Sequence, residues 1–177
     1  HPEEVRALAA AEGLEPALLW AVIRQESRFE PTARSSAGAL GLTQVMPETG
    51  RHIAEMLGEP FDAASLLLPE VALRYGAWYL GRQMERYDRR AWAVLAAYNG
   101  GPGNADRWLA ASGDEQDAFV ETVDFAETRS YLRRTLVNLE RYQMAVRLMV
   151  DGSVTPSLRP LTRFASRSIA QKQYAAR

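Results

Sequence analysis

Apolar side chains recur along most of the chain at spacings of three and four, and no stretch sustains the alternation of a half-buried strand. That periodicity confines the fold to helix packed on helix. Prolines mark where helices begin, because the first helical N–H has no intrahelical partner to lose. Pro16, Pro47 and Pro69 open helices that reach about Arg28, Leu57 and Tyr87. An Ala-rich helix runs from Glu3 to Glu12 and stops at Gly13. Another covers Ala91 to Tyr98 and is halted by Asn99-Gly100-Gly101-Pro102-Gly103. A short helix surrounds Trp108, a polar stretch lies near Asp114 to Asp117, and the longest helix runs from about Phe125 to Val150. Thr32 to Met46, rich in Ser, Gly and Ala, reads as a loop. The expectation is an all-α domain of seven or eight helices with little or no β-structure.

Composition narrows the chemistry. The chain has 177 residues, no cysteine and two histidines, one of them the first residue. Disulfides, thiolate ligands and a Cys nucleophile are excluded, and no metal site or cofactor is expected. A net charge of -1 argues against a nucleic-acid partner held by a positive face. No apolar run approaches the roughly 20 residues of a membrane span. Residues 151–177 carry about +4 and the first 150 about -5. The expected division is a folded domain over 1–150 and a basic extension over 151–177, either a docked helix or a partly disordered arm. A start at His1-Pro2, without Met or a signal peptide, reads as a piece of a longer precursor.

Glu26 stands apart from the other acids. It follows Ile23, Val22 and Leu19 by three, four and seven positions, which puts it on the apolar face of its helix. Poor solvation there disfavours the charged carboxylate and raises its pKa. A carboxyl still protonated near neutral pH is what a general acid requires. The competing reading is a structural ion pair with Arg24 or Arg28. The loop that follows offers Ser35 and Gln44 as neutral hydrogen-bonding groups, Met46 as a soft apolar contact, and Gly38 and Gly41 where the backbone can turn tightly. A polar, uncharged loop beside a buried acid suits a carbohydrate better than a phosphate.

These residues form a pattern. Glu26-Ser27-x-Phe29, then Ser35-x-x-Gly38-Ala39-x-Gly41-Leu42-x-Gln44-x-Met46-Pro47, resembles the catalytic domain of soluble lytic transglycosylases. Ala96-Ala97-Tyr98-Asn99-Gly100-Gly101-Pro102-Gly103 and Phe125-x-Glu127-Thr128-Arg129-x-Tyr131 follow in the order of that family. The resemblance implies a lysozyme-like helical fold over residues 1–150. It also implies cleavage of the β-1,4 bond between N-acetylmuramic acid and N-acetylglucosamine, with a 1,6-anhydromuramoyl product. The implied partners are peptidoglycan glycan strands and muropeptides, and the implied location is the bacterial cell envelope, as part of a longer envelope protein.

By the same resemblance, Glu26 is the catalytic acid and then the base, and Ser35, Gln44, Met46, Tyr98, Asn99 and Glu127 line or support the saccharide groove. Thr43 departs from the Met that many relatives carry there, which implies one altered groove contact. Local readings stand beside these roles: Tyr98 as a core aromatic, Asn99 as a helix cap, Glu127 as the partner of an arginine. The four tryptophans read mostly as core, and so do Met56, Met84, Met144 and Met149; His52 reads as a surface residue or one behind a ligand. The alternatives to a transglycosylase are a lysozyme- or chitinase-like hydrolase, for which Glu127 or Glu121 is the candidate second acid, and a non-catalytic wall-binding module.

Overall fold

The computed structural model describes residues 2–150. The basic extension expected over 151–177 lies outside the described residues, as does the side chain of Met149. Eight α-helices and one short 3-10 helix account for the described chain: α1 Pro2–Ala11, α2 Pro16–Ser27, α3 Pro47–Leu57, the 3-10 helix Ala63–Leu67, α4 Pro69–Arg86, α5 Ala91–Gly100, α6 Pro102–Ser112, α7 Gln116–Thr122 and α8 Ala126–Val150. The only pairing of extended backbone among these residues is a pair of isolated antiparallel bridges, Arg34 with Leu40 and Leu40 with Val45.

Proline occupies the first turn of α2, α3, α4 and α6. Asn99 is not a cap, because α5 continues through Gly100 and Gly101 ends it at φ 87°. Two elements lie where no helix was expected. The 3-10 helix is started by Asp62, whose carboxylate accepts from the Ala64 N–H. The polar stretch after α6 passes directly into α7, anchored by buried Phe119 and Val120.

α5 is the centre of the main core. Every residue from Trp92 to Ala97 is buried, so this helix has no solvent face over its middle turns. α2 lays Leu18, Leu19, Val22 and Ile23 against it, and α8 contributes Tyr131, Leu132 and Leu139. A smaller cluster of Leu40, Val45, Ile53, Ala54, Leu66 and Tyr75 lies under the 29–46 loop. Trp92 and Trp108 are core residues, whereas Trp20 and Trp78 pack only partly buried against it. Met84 is in the core, but Met56 and Met144 are 62% and 65% exposed, because each falls on the outer face of its helix.

The loop is built rather than slack. Leu40 and Val45 exchange both backbone hydrogen bonds, and Gly41 donates its N–H to the Ala33 carbonyl at 2.9 Å. Gly41 has φ 76°, and a Cβ there would stand 1.9 Å from the Leu66 carbonyl oxygen, so no other residue fits without moving the 3-10 helix. Thr43 is fully buried and donates its hydroxyl to the Ala72 carbonyl of α4 at 2.7 Å. Gly76, one turn on, makes the room, since a Cβ at that position would meet the Thr43 side chain at 2.5 Å. Thr43 is therefore a packing residue, and the altered groove contact expected at this position does not occur.

Candidate active site

Glu26 sits in the last turn of α2, a half-buried carboxyl with buried Val22, Ile23 and Ser27 on the same helix. The chain then turns sharply. Arg28 and Phe29 both adopt left-handed backbone, at φ 53° and 67°, which is costly for residues with a Cβ. Ser27 holds this turn: its hydroxyl donates to the Ile23 carbonyl at 3.1 Å and accepts the Phe29 N–H at 3.2 Å. The Ser of the Glu-Ser pair thus fixes the backbone on which the acid stands.

The surroundings of Glu26 raise its pKa from 4.5 to about 7. Burial is the main cause, and the negative charge of Glu127 adds to it. The Tyr131 hydroxyl acts in the opposite sense, favouring the ionised carboxylate. It is buried close to Glu26 and makes no formed hydrogen bond. No arginine takes part, so the ion pair with Arg24 or Arg28 is not formed.

Four elements bring these groups together. α2 and α8 run antiparallel: Gln143 donates to the Glu15 carboxylate at 2.7 Å, the rings of Tyr142 and Trp20 lie 5.9 Å apart, and Glu127 and Tyr131 fall beside Glu26. Glu127 and Tyr131 are one helical turn apart on α8, which places them on one face. α5 supplies Tyr98, whose hydroxyl donates to the Thr43 carbonyl at 2.8 Å and ties the loop to the central helix. Burial pushes the Tyr98 phenol well above its ordinary value, and the nearby Glu26 carboxylate adds to that. The Tyr79 ring meets Tyr98 edge-on at 5.5 Å.

The other expected site residues divide. Ser35 is exposed and accepts the Ala39 N–H at 2.9 Å, which leaves its O–H free to donate. Gln44, at φ 50°, donates its amide to the carbonyls of Gly41 at 2.8 Å and Ala33 at 3.2 Å. Its amide oxygen, which accepts no bond from a described residue, is the group left for a ligand. Met46 and Phe29 present exposed apolar surface on either side of the loop. Asn99 is half-buried on the last turn of α5. Glu127 is exposed and has no arginine partner among the described residues, whereas Glu121 is committed to Arg133 at 2.6 Å.

Tyr131 was not among the site residues expected from the sequence. The signal for it was its position one helical turn after Glu127. The start of α8 is secured by Asp124, which accepts both guanidinium nitrogens of Arg107 at 2.9 Å and the Trp108 indole N–H at 2.8 Å. Among the described residues no three His, Cys, Asp or Glu side chains cluster in a way that could hold a metal ion. Nor is any described helix long and apolar enough to cross a membrane.

Comparison with known proteins gives consistent results. A family model described as the transglycosylase SLT domain matches residues 3–119, more than half the chain. The soluble lytic murein transglycosylases of Salmonella typhimurium and Escherichia coli K12 are each 38% identical to it over 120 residues. That stretch is 66% of this chain and 19% of those proteins, so the chain spans about a fifth of the length of these curated relatives. The 70 kDa soluble lytic transglycosylase of Escherichia coli superposes with a TM-score of 0.77 at 31% identity, covering 81% of this chain and 24% of that one. An inactive mutant of the lytic transglycosylase Slt from Pseudomonas aeruginosa gives 0.76 at 33% identity, covering 83% and 24%.

Proposed function

Since the chain belongs to the transglycosylase SLT domain family, we propose that it cleaves the β-1,4 bond between N-acetylmuramic acid and N-acetylglucosamine in peptidoglycan and leaves a 1,6-anhydromuramoyl end. The observation that carries this reading is the Glu26 carboxyl, still half protonated at about pH 7. Protonated Glu26 gives its proton to the glycosidic oxygen as the bond to C1 breaks, and the 2-acetamido oxygen stabilises the cationic centre. The carboxylate that remains takes the proton from O6 of the same sugar, and O6 closes onto C1. Acid and base are one residue, and the nucleophile is a hydroxyl of the substrate.

Most glycosidases need two carboxylates. An oriented internal hydroxyl reaches effective concentrations of about 10⁵–10⁸ M, enough to exclude water when the ring is held correctly. The Ser35 hydroxyl, the Gln44 amide oxygen and the polar edge of Asn99 are the groups offered to sugar hydroxyls and acetamides, and exposed Met46 offers an apolar contact. Tyr98 supports this surface from behind by holding the Thr43 carbonyl. Residues 1–150 form the catalytic domain in this reading, within a longer protein of the cell envelope.

Mass spectrometry of digested sacculi tests it. Products lacking one water, with anhydro ends, are expected. Reducing ends alone mean that water is the nucleophile, with Glu127 as the second acid, and the lyase reading fails. Replacement Glu26→Gln is expected to abolish turnover while leaving saccharide binding intact. A Gln variant that lyses walls at the parental rate overturns the role of Glu26.

A further inference from the structure

α4 passes beneath the loop that carries the expected sugar contacts. Ala72, Gly76 and Tyr79 follow one another at spacings of four and three, on one stripe of this helix. The first two seat Thr43: the Ala72 carbonyl accepts its hydroxyl at 2.7 Å, and Gly76 leaves room for its side chain. Tyr79 is next along the stripe. Its ring lies 5.5 Å from that of Tyr98, edge to face, and the Tyr98 hydroxyl holds the Thr43 carbonyl. Tyr79 also packs against the small cluster that contains Val45. It therefore stands where α4, the end of α5 and the loop converge. Gln44, Met46 and Asn99 each adjoin a residue of that junction, namely Thr43, Val45 and Tyr98.

The polar end of Tyr79 differs from those of its neighbours. Tyr75 donates to Glu59, Tyr87 to Pro102 and Asp106, and Tyr98 to Thr43. The Tyr79 hydroxyl makes no hydrogen bond with a described residue. It is not sealed from water either: among the described residues, the side-chain polar atoms shut in without a partner are the Gln83 amide oxygen and the Tyr131 hydroxyl. Arg86, whose charge reaches Tyr79, is engaged by Asp106 at 2.6 Å. The half-buried side chain thus keeps its ring in the fold and its hydroxyl in solvent. Packing requires only the ring, which phenylalanine would supply. A free phenol beside neutral hydrogen-bonding groups is the kind of polar group that orients a ligand.

We propose that Tyr79 is a substrate-binding residue, its hydroxyl bonded to a hydroxyl or acetamido group of a sugar adjoining the reacting one. The inference rests on the transglycosylase reading above and extends the surface of Gln44 and Asn99 onto α4. Tyr98 neighbours both Tyr79 and Glu26. The groups that act on Glu26 itself are Tyr131 and Glu127, not Tyr79. Tyr79 therefore sets where the strand lies and takes no part in breaking the bond.

Calorimetric titration of the whole chain with peptide-free glycan strands tests the contact, in the Glu26→Gln background so that no strand is cut. Adding Tyr79→Phe is expected to weaken binding about three- to tenfold, the worth of one hydrogen bond. With Glu26 intact, Tyr79→Phe is expected to raise KM by the same factor and to leave kcat and its pH profile as in the parent. The melting midpoint should stay put, because the ring and its packing remain. A fall in kcat at unchanged KM, or a shifted pH profile, makes Tyr79 a prop for Tyr98 and overturns the proposal. So does a lowered midpoint at unchanged affinity, which assigns the hydroxyl to the fold. Glycan binding that depends on Tyr79, in a protein that releases no anhydro product, sinks the transglycosylase reading and leaves the contact standing. Anhydro products from a protein whose glycan affinity ignores Tyr79→Phe sink the contact alone.

Discussion

Glu26 illustrates how one side chain trades stability for chemistry. Its pKa is 4.5 as an ordinary glutamate and about 7 in the fold. Below about pH 4.5 the group is neutral in both folded and unfolded chains and contributes nothing. As pH rises to about 7 the unfolded chain ionises first, and stability is lost. At about 1.4 kcal/mol per pKa unit the loss is about 3 kcal/mol. Glu26→Gln should therefore raise the melting temperature by several degrees at pH 8 and change it little at pH 4, as scanning calorimetry will show. The catalytic consequence has the opposite value for the cell: kcat should fall about tenfold per pH unit above about 7, as the acid loses its proton. The position of Glu26 on an apolar helical face made its burial legible in the sequence. Its neighbours Glu127 and Tyr131 were less so, because their approach depends on two helices far apart in the chain.

At the scale of elements, the proline-opened helices were readable because each combined a start signal with several apolar turns. The 3-10 helix and α7 were not. The first spans five residues, and the second has only Phe119 and Val120 as buried anchors, too few to establish a period. The loop over 29–46 was legible as a loop, but its internal hydrogen bonds and its seat on α4 were not. Those features set its tolerance to change. Gly41→Ala should destabilise by about 2 kcal/mol or more in urea titration, since the added methyl meets Leu66 backbone. Tyr98→Phe strands the buried Thr43 carbonyl and should cost about 1–3 kcal/mol. It should also lower kcat by letting the loop shift against Glu26.

For the whole molecule, charge and burial give a stability profile with a maximum. Asp124 is held at about 2 by Arg107 and Trp108, and Glu59 and Asp106 lie below the usual carboxylate range beside Arg74 and Arg86. The contribution of Asp124 is present above about pH 4 and is lost as pH falls towards about 2, those of Glu59 and Asp106 are lost in the same direction, and Glu26 subtracts stability from 4.5 upward. Urea midpoints should thus peak between about pH 4 and 5, and Glu26→Gln should flatten the alkaline side. Amide exchange should be slowest in α5, the helix without a solvent face over its middle turns, and faster in short α7. The antiparallel pairing of α2 with α8 has a consequence in time as well as in space. Residues 26 and 131 are 105 positions apart, so a growing chain presents Glu26 long before Tyr131 and Glu127 are made. Until synthesis reaches the last helix, that glutamate lacks the contributions of Tyr131 and Glu127 to its environment. In the mechanism proposed for it, the proton that Glu26 donates is thus retained only once the last helix has closed the domain.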